Sequence, residues 1–170
     1  AVQARCSGQV PDIVLANARD TASLDTVASC TDVLLSTAGP FAVLGNELVS
    51  ACVRQRTHYL DITGETPWVR DLIARHHAHA ADEGIRIVPM CGFDSVPSDL
   101  AAFLAHNTLM QRYNEPAHRV KAAYQVRGGF NGGTLESMFQ LFESGESRML
   151  TDPFLLNPPG MRPFNGPQHA

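Results

Sequence analysis

Asp32-Val33-Leu34-Leu35-Ser36-Thr37-Ala38-Gly39-Pro40-Phe41 is the stretch that decides the fold. Its first half is nearly continuous in apolar residues, the pattern of a parallel strand covered on both faces. It stops at Gly39-Pro40, and the residues beyond place Leu44, Leu48, Val49 and Cys52 on one helical stripe. Strand, tight turn and helix in that order make a βα unit. The arrangement recurs at His58-Tyr59-Leu60-Asp61-Ile62-Thr63, which breaks at Gly64 before Val69, Leu72, Ile73 and His76 repeat at helical spacing; Gly84 stops that helix. A third run, Ile85-Arg86-Ile87-Val88-Pro89-Met90-Cys91, leads through Gly92 to a helix predicted from about Val96 to Met110, capped by Ser95 or Asp94 with Pro97 in its first turn. Pro89 argues for an edge position or a strand near its end.

Upstream, Asp12-Ile13-Val14-Leu15-Ala16 reads as a further short strand, and Asp20 or Thr21 caps a helix carrying Leu24, Val27 and Ala28. Strands begin about 20 to 27 residues apart, enough for the right-handed helical crossovers that parallel pairing requires. The expected fold class is α/β, a doubly wound parallel sheet. In such a sheet the clusters Thr37–Phe41, Asp61–Glu65 and Cys91–Ser95 share the carboxyl edge, where open α/β sheets bind ligands.

The remaining composition narrows the function. A chain of 170 residues, 44% hydrophobic, buries one domain core and part of a second. With 13 Lys+Arg against 17 Asp+Glu and no basic cluster, the charge of −4 argues against a nucleic-acid partner. Cys6, Cys30, Cys52 and Cys91 form no Cys-x-x-Cys pair and read as reduced, structural thiols. Neither a signal peptide nor an apolar run of about 18 residues is present in this segment. After Glu115-Pro116 the style changes. Arg119 to Arg127 alternates like a strand, and Gly128, Gly129, Gly132 and Gly133 precede Leu135, Met138, Phe139 and Phe142 at helical spacing, the expected start of an α+β domain. The opening at Ala1 and the proline-rich close lead us to expect a piece of a longer protein.

Three groups of residues suit chemistry. Gly39-Pro40 lets backbone approach a bound group, a nucleotide ribose or pyrophosphate being the natural guest, with amides near Gly45 and Asn46 as donors to an anion. An ordinary strand-to-helix turn is the competing reading. Asp61, Thr63 and Glu65 put two carboxylates and a hydroxyl beside a glycine, suited to orienting a ribose, a substrate amine or a catalytic water. Capping by Thr63 or Glu65 competes there, so Asp61, whose strand position directs it to the sheet edge, is the stronger catalytic candidate. Asp94 and Ser95 stand at a helix start, where capping combines with substrate or nicotinamide contact. Ser95 lacks the flanking glycines of a Gly-x-Ser-x-Gly nucleophile elbow. His76, His77 and His79 give one i, i+3 pair and no i, i+4 pair, so no metal is expected.

Taken in order, Thr37-Ala38-Gly39-Pro40-Phe41, Gly45, Leu48-Val49, Ala51-Cys52, Thr57-His58-Tyr59-Leu60-Asp61-Ile62-Thr63-Gly64-Glu65, Trp68 and Cys91-Gly92-Phe93-Asp94-Ser95-Val96-Pro97-Ser98-Asp99-Leu100 resemble the saccharopine dehydrogenase-like oxidoreductases, which include trans-acting enoyl reductases. The similarity spans about residues 12 to 145, and Gly132-Gly133-Thr134-Leu135-Glu136-Ser137 is similar to the family's passage into its second domain. The resemblance implies a Rossmann-like domain over residues 1–115 that lacks its first βα unit, then the truncated beginning of a substrate or association domain over residues 116–170. It implies NADP, ahead of NAD, as cofactor, with Thr37, Ala38, Gly39, Pro40 and Phe41 beside it and Asp61, Glu65, Asp94 and Ser95 handling substrate or proton. It further implies reduction of a C=C or C=N bond in a small-molecule or lipid-linked substrate, within lipid or glycolipid biosynthesis. Homodimerisation, and a cytoplasmic location with lipid-droplet or peripheral membrane association, belong to the same set of expectations. The family's glycine-rich first turn and the residue that reads the adenosine ribose would lie upstream of Ala1, so this segment alone is expected to be inactive. A non-catalytic Rossmann-like module that binds a partner or a lipid surface is the competing function.

Overall fold

The computed structural model describes residues 11–125, 127, 139, 145, 149, 151–158, 160 and 161. Helix α1 (Thr21–Ser29) starts at Asp20, whose carboxylate accepts the Ala22 amide at 3.1 Å. Strand β1 (Val33–Ser36) leads into helix α2 (Phe41–Gln55) through a cis Gly39–Pro40 peptide. Strand β2 (His58–Asp61), helix α3 (Thr66–Glu83), strand β3 (Ile87–Val88) and helix α4 (Val96–Tyr113) follow. Gly84, at φ 70°, ends α3 in the left-handed conformation that glycine adopts without a Cβ clash.

The sheet is parallel throughout, in the order β1-β2-β3. Val33 pairs with His58 and Ser36 with Asp61 across the first ladder; Tyr59 pairs with Ile87 and Leu60 with Val88 across the second. This is the α/β, Rossmann-like arrangement expected, with Pro89 closing an edge strand. Leu34, Ser36, Tyr59, Asp61 and Ile87 lie on one face, where Leu34, Tyr59 and Ile87 join a core built from Leu24 and Ala28 of α1, Phe41, Val49, Ala51 and Cys52 of α2, and Trp68, Val69 and Leu72 of α3. On the opposite face Val33, Leu35 and Val88 are exposed. Among the described residues α1, α2 and α3 therefore cover one side of the sheet.

Helices α2 and α3 touch where the chain has its smallest side chain. A Cβ at Gly45 would stand 2.7 Å from Trp68 Cζ2 and 2.9 Å from Cη2, so only glycine lets the indole lie against α2. The ring is held there by a hydrogen bond from its Nε1 to Asn46 Oδ1 at 2.9 Å and by Phe41, ring centroids 5.8 Å apart. Arg75 donates to the same Asn46 oxygen at 2.6 Å.

The expected strand at Asp12–Ala16 is not formed. Ile13, Val14 and Leu15 are exposed, and among the described residues the segment pairs with no strand, so its backbone lacks the ladder that would make it one. The run Ile85–Cys91 shortens to two paired residues, because Pro89 has no N–H and Met90 turns to φ 62°. Residues 119–125 and 127 are likewise not strand; Val120 and Tyr124 are exposed, and no neighbour among the described residues pairs with them. Most of the glycine-rich stretch and helix expected between Gly128 and Phe142 lies outside the described residues. On α3, Val69 and Leu72 are buried as the spacing requires, whereas Ile73 is exposed and the inward stripe runs through Trp68 and Ala80 instead.

Candidate functional site

Each strand hands the chain to its helix at the same edge, and side chains from the middle strand's turn tie the three ends together. After Ser36, Thr37, Ala38 and Gly39 are exposed, forming a shelf at the carboxyl end of β1. The first amides of α2 are taken from within. Glu65, at the start of α3, accepts Phe41 N–H on Oε1 at 2.9 Å and Ala42 N–H on Oε2 at 2.7 Å. Those amides have no intrahelical partner, and the carboxylate meets them at the positive end of the helix dipole. Thr63 Oγ1 in turn accepts the Glu65 amide at 3.0 Å, fixing the Glu65 backbone in the turn.

Asp61 makes the matching link to β3. It is fully buried, its Oδ1 accepts the amides of Thr63 and Met90, both at 3.0 Å, and its carbonyl accepts Cys91 N–H at 2.7 Å. Met90 is thereby held at φ 62°, a left-handed conformation that costs a non-glycine residue energy. Asp61 Oδ2 and the Tyr59 hydroxyl form no well-aligned hydrogen bond. They lie two residues apart on one strand face, and the Tyr59 hydroxyl interacts with both Asp61 and Ser36. Burial raises the Asp61 carboxyl above its ordinary value; the amides of Thr63 and Met90 and the Tyr59 hydroxyl pull it back down, and Glu65 adds a smaller upward push. Burial, then the Asp61 charge, raises the Tyr59 hydroxyl, so it stays protonated.

Asp94 and Ser95 sit at the outer side of the edge. Asp94 is exposed and its carboxylate lies over Gly92, where it would collide with any added Cβ. Ser95 is half-buried and makes no side-chain cap on α4, nor does Asp94; the first turn relies instead on Ser95 and Val96 amides donating to the Gly92 carbonyl. The expected donors near Gly45 and Asn46 are not at the helix start. They lie in its second turn, with Gly45 buried against Trp68 and Asn46 holding Trp68 and Arg75. Glu65 caps α2, across 24 residues, where capping of its own helix was the alternative to catalysis. Two participants were missed, Ser36 and Tyr59; the two-residue period running back from Asp61 puts Tyr59 on its face, and parallel pairing puts Ser36 opposite it.

Among the described residues no group of three or more His, Cys, Asp or Glu could hold a metal ion, and no helix is long and apolar enough to cross a membrane. Cys30, Cys52 and Cys91 are free thiols, and burial pushes Cys52 up to about 11, which keeps it protonated and inert. The nicotinamide dinucleotide implied by the resemblance fits this edge in part. The exposed Thr37–Gly39 shelf offers open backbone to a ribose or a nicotinamide ring, while the α2 amides that could have met a phosphate are already held by Glu65.

Comparison with known proteins finds relatives of this chain. A trans-acting enoyl reductase of Mycobacterium leprae is 36% identical over 151 residues, 85% of this chain and 36% of its own length. One from Mycobacterium ulcerans is 33% identical over 167 residues, 92% of this chain and 39% of its own. A Mycobacterium tuberculosis relative, provisionally named as such an enzyme, reaches 38% over 169 residues, 95% of this chain and 40% of its own. The chain thus spans about two fifths of the length of these curated relatives. Among solved structures, apo saccharopine dehydrogenase (L-Glu forming) from Saccharomyces cerevisiae overlaps 58% of this chain and 20% of its own at 19% identity, with a TM-score of 0.43. The model of the saccharopine dehydrogenase NADP binding domain matches residues 3–88, just over half of the chain. The chain belongs to that family.

Proposed function

We propose that the full-length protein carrying this chain is an NADP-dependent oxidoreductase that reduces an activated C=C bond, with C=N as the alternative acceptor, in a lipid-linked substrate of lipid or glycolipid biosynthesis. The observation that carries this reading is the exposed Thr37–Gly39 shelf at the carboxyl end of β1, beside the end of β2 with that of β3 beyond it, in a domain of a family named for NADP binding. The naming of the mycobacterial relatives as enoyl reductases favours the carbon–carbon acceptor.

When bound, the cofactor supplies hydride. This chain's part is placement. The shelf would border the nicotinamide ribose, and the turn from Met90 to Ser95 would border the acceptor, with Asp94 exposed and Ser95 half-buried on that side. Holding donor and acceptor at roughly 3 to 3.5 Å supplies much of the rate in such reactions.

Titration calorimetry of the full-length protein with NADPH and NADH tests the reading. We expect NADPH to bind more tightly, and Gly39→Val to weaken it about tenfold, since even a Cβ there meets Phe41 Cε2 at 3.3 Å and a branched side chain would push the exposed turn away from the Phe41 ring and out of place for the ribose. Binding of neither nucleotide would overturn the assignment. Unchanged affinity in a folded Gly39→Val variant would remove the shelf from the site.

A further inference from the structure

We propose that Asp61 and Glu65 are positioning residues: from the middle strand's turn they brace the β1–α2 turn on one side and the β3–α4 turn on the other, and so set the width of the cofactor site between them. The inference rests on the NADP reading for its functional part and on hydrogen bonds alone for its structural part.

Four contacts carry it. Glu65 spends both carboxylate oxygens on Phe41 and Ala42, the two residues that follow the Gly39–Pro40 shelf. Asp61 spends Oδ1 on Thr63 in its own turn and on Met90 in the next. Asp61 is fully buried and Glu65 nearly so, at 8% exposure, so a substrate arriving at the open edge would meet neither carboxylate directly. Loops flanking a site are mobile unless tied down, and these two turns are tied to one five-residue segment, Asp61-Ile62-Thr63-Gly64-Glu65. Met90 shows that the tie is needed. A left-handed methionine persists only where its surroundings over-determine it, and the Asp61 carboxylate and carbonyl fix the amides of Met90 and Cys91 together.

A positioning role and a catalytic role predict different outcomes for the same substitutions. In Asp61→Asn the amide keeps an acceptor for the Thr63 and Met90 amides but cannot transfer a proton. In Asp61→Ala both amides lose their partner; in Glu65→Ala so do those of Phe41 and Ala42. The experiment uses the full-length protein, with NADPH as the probe for affinity, an enoyl substrate panel for kcat and its pH profile, and hydrogen exchange at the amides of Phe41, Ala42, Thr63 and Met90.

Asp61→Asn should keep kcat, its pH profile and NADPH affinity within about twofold of wild type. Asp61→Ala and Glu65→Ala should weaken NADPH binding about tenfold, since turns no longer held in place must be ordered on binding, with faster exchange confined to the amides each side chain had held. Loss of turnover in Asp61→Asn with affinity and exchange unchanged would make Asp61 a proton-handling residue and overturn the proposal. Wild-type exchange at all four amides in the alanine variants would overturn it equally. A wild-type protein that binds neither NADPH nor NADH would refute the oxidoreductase reading instead, and exchange would then decide the brace by itself. If the alanine variants do not fold, Asp61→Asn and Glu65→Gln carry the test; Glu65→Gln should quicken exchange at one of Phe41 and Ala42, because one carboxylate oxygen becomes a donor.

Discussion

Asp61 carries a proton more readily in the folded chain than in the unfolded one, and the sign of that difference is measurable. Its carboxyl lies above the ordinary value of 3.8, first because burial disfavours the charge. Below pH 3.8 both states hold the proton, and the stabilising contribution is fully present. As pH rises from there through the raised folded value, the unfolded chain releases its proton first and that contribution is lost. Asp61→Asn should therefore flatten the part of the stability-against-pH curve above pH 3.8, read from denaturant midpoints at several pH values; an unaltered curve would show that Asp61 titrates normally. The sequence identified Asp61 correctly as a residue at a strand end. The expectation that its side chain points to the open sheet edge is corrected: Asp61 is buried on the face the helices cover, holding the amides of Thr63 and Met90, and which face that is emerges only once Tyr59 and Leu34 are seen in the core.

Helices were more legible than strands because a helix is written in its own residues and a strand in its neighbour's. The stops at Gly84 and Gly39-Pro40, the Asp20 cap and the stripe through Val49 and Cys52 are local signals, and each element they define is present. Asp12–Ala16 and residues 119–125 have strand-like composition yet, among the described residues, no partner to complete a ladder. The Glu65 link to α2 was hidden for the same reason, being a contact over 24 residues. Between α2 and α3 the deciding residue is Gly45. Gly45→Ala should raise helix propensity by about 1 kcal/mol yet destabilise the protein overall, by about 1 to 3 kcal/mol, because the new methyl overlaps the Trp68 ring inside a packed interface. Tryptophan fluorescence would report the shift directly, Trp68 being the single tryptophan. A stabilised Gly45→Ala variant with unchanged emission would mean that the two helices separate at little cost.

At the scale of the molecule, the described part of the chain is finished on one side of its sheet and bare on the other. Leu35 is 61% exposed on the open face, Leu15 is 92% exposed ahead of it, and α4 presents Leu100, Phe103 and Leu104 with no residue of its own buried. Among the described residues, three parallel strands with one covered face leave two unpaired ladder edges and an exposed apolar surface. Residues 1–170 expressed alone should consequently self-associate or melt without cooperativity, whereas the full-length protein should not. Light scattering on the eluting peak, dye binding to exposed apolar surface and a thermal melt followed by circular dichroism would compare the two. Association should grow with salt, since burial of apolar area drives it and the net charge of −4 opposes it. Replacing Leu35 and Val88 by threonine should reduce association without unfolding the core, because both lie on the face opposite Tyr59 and Leu34. A soluble monomer that melts in one cooperative step would show instead that the open face of this sheet needs no cover, and that the packing of α1, α2 and α3 on β1 and β2 is a sufficient core.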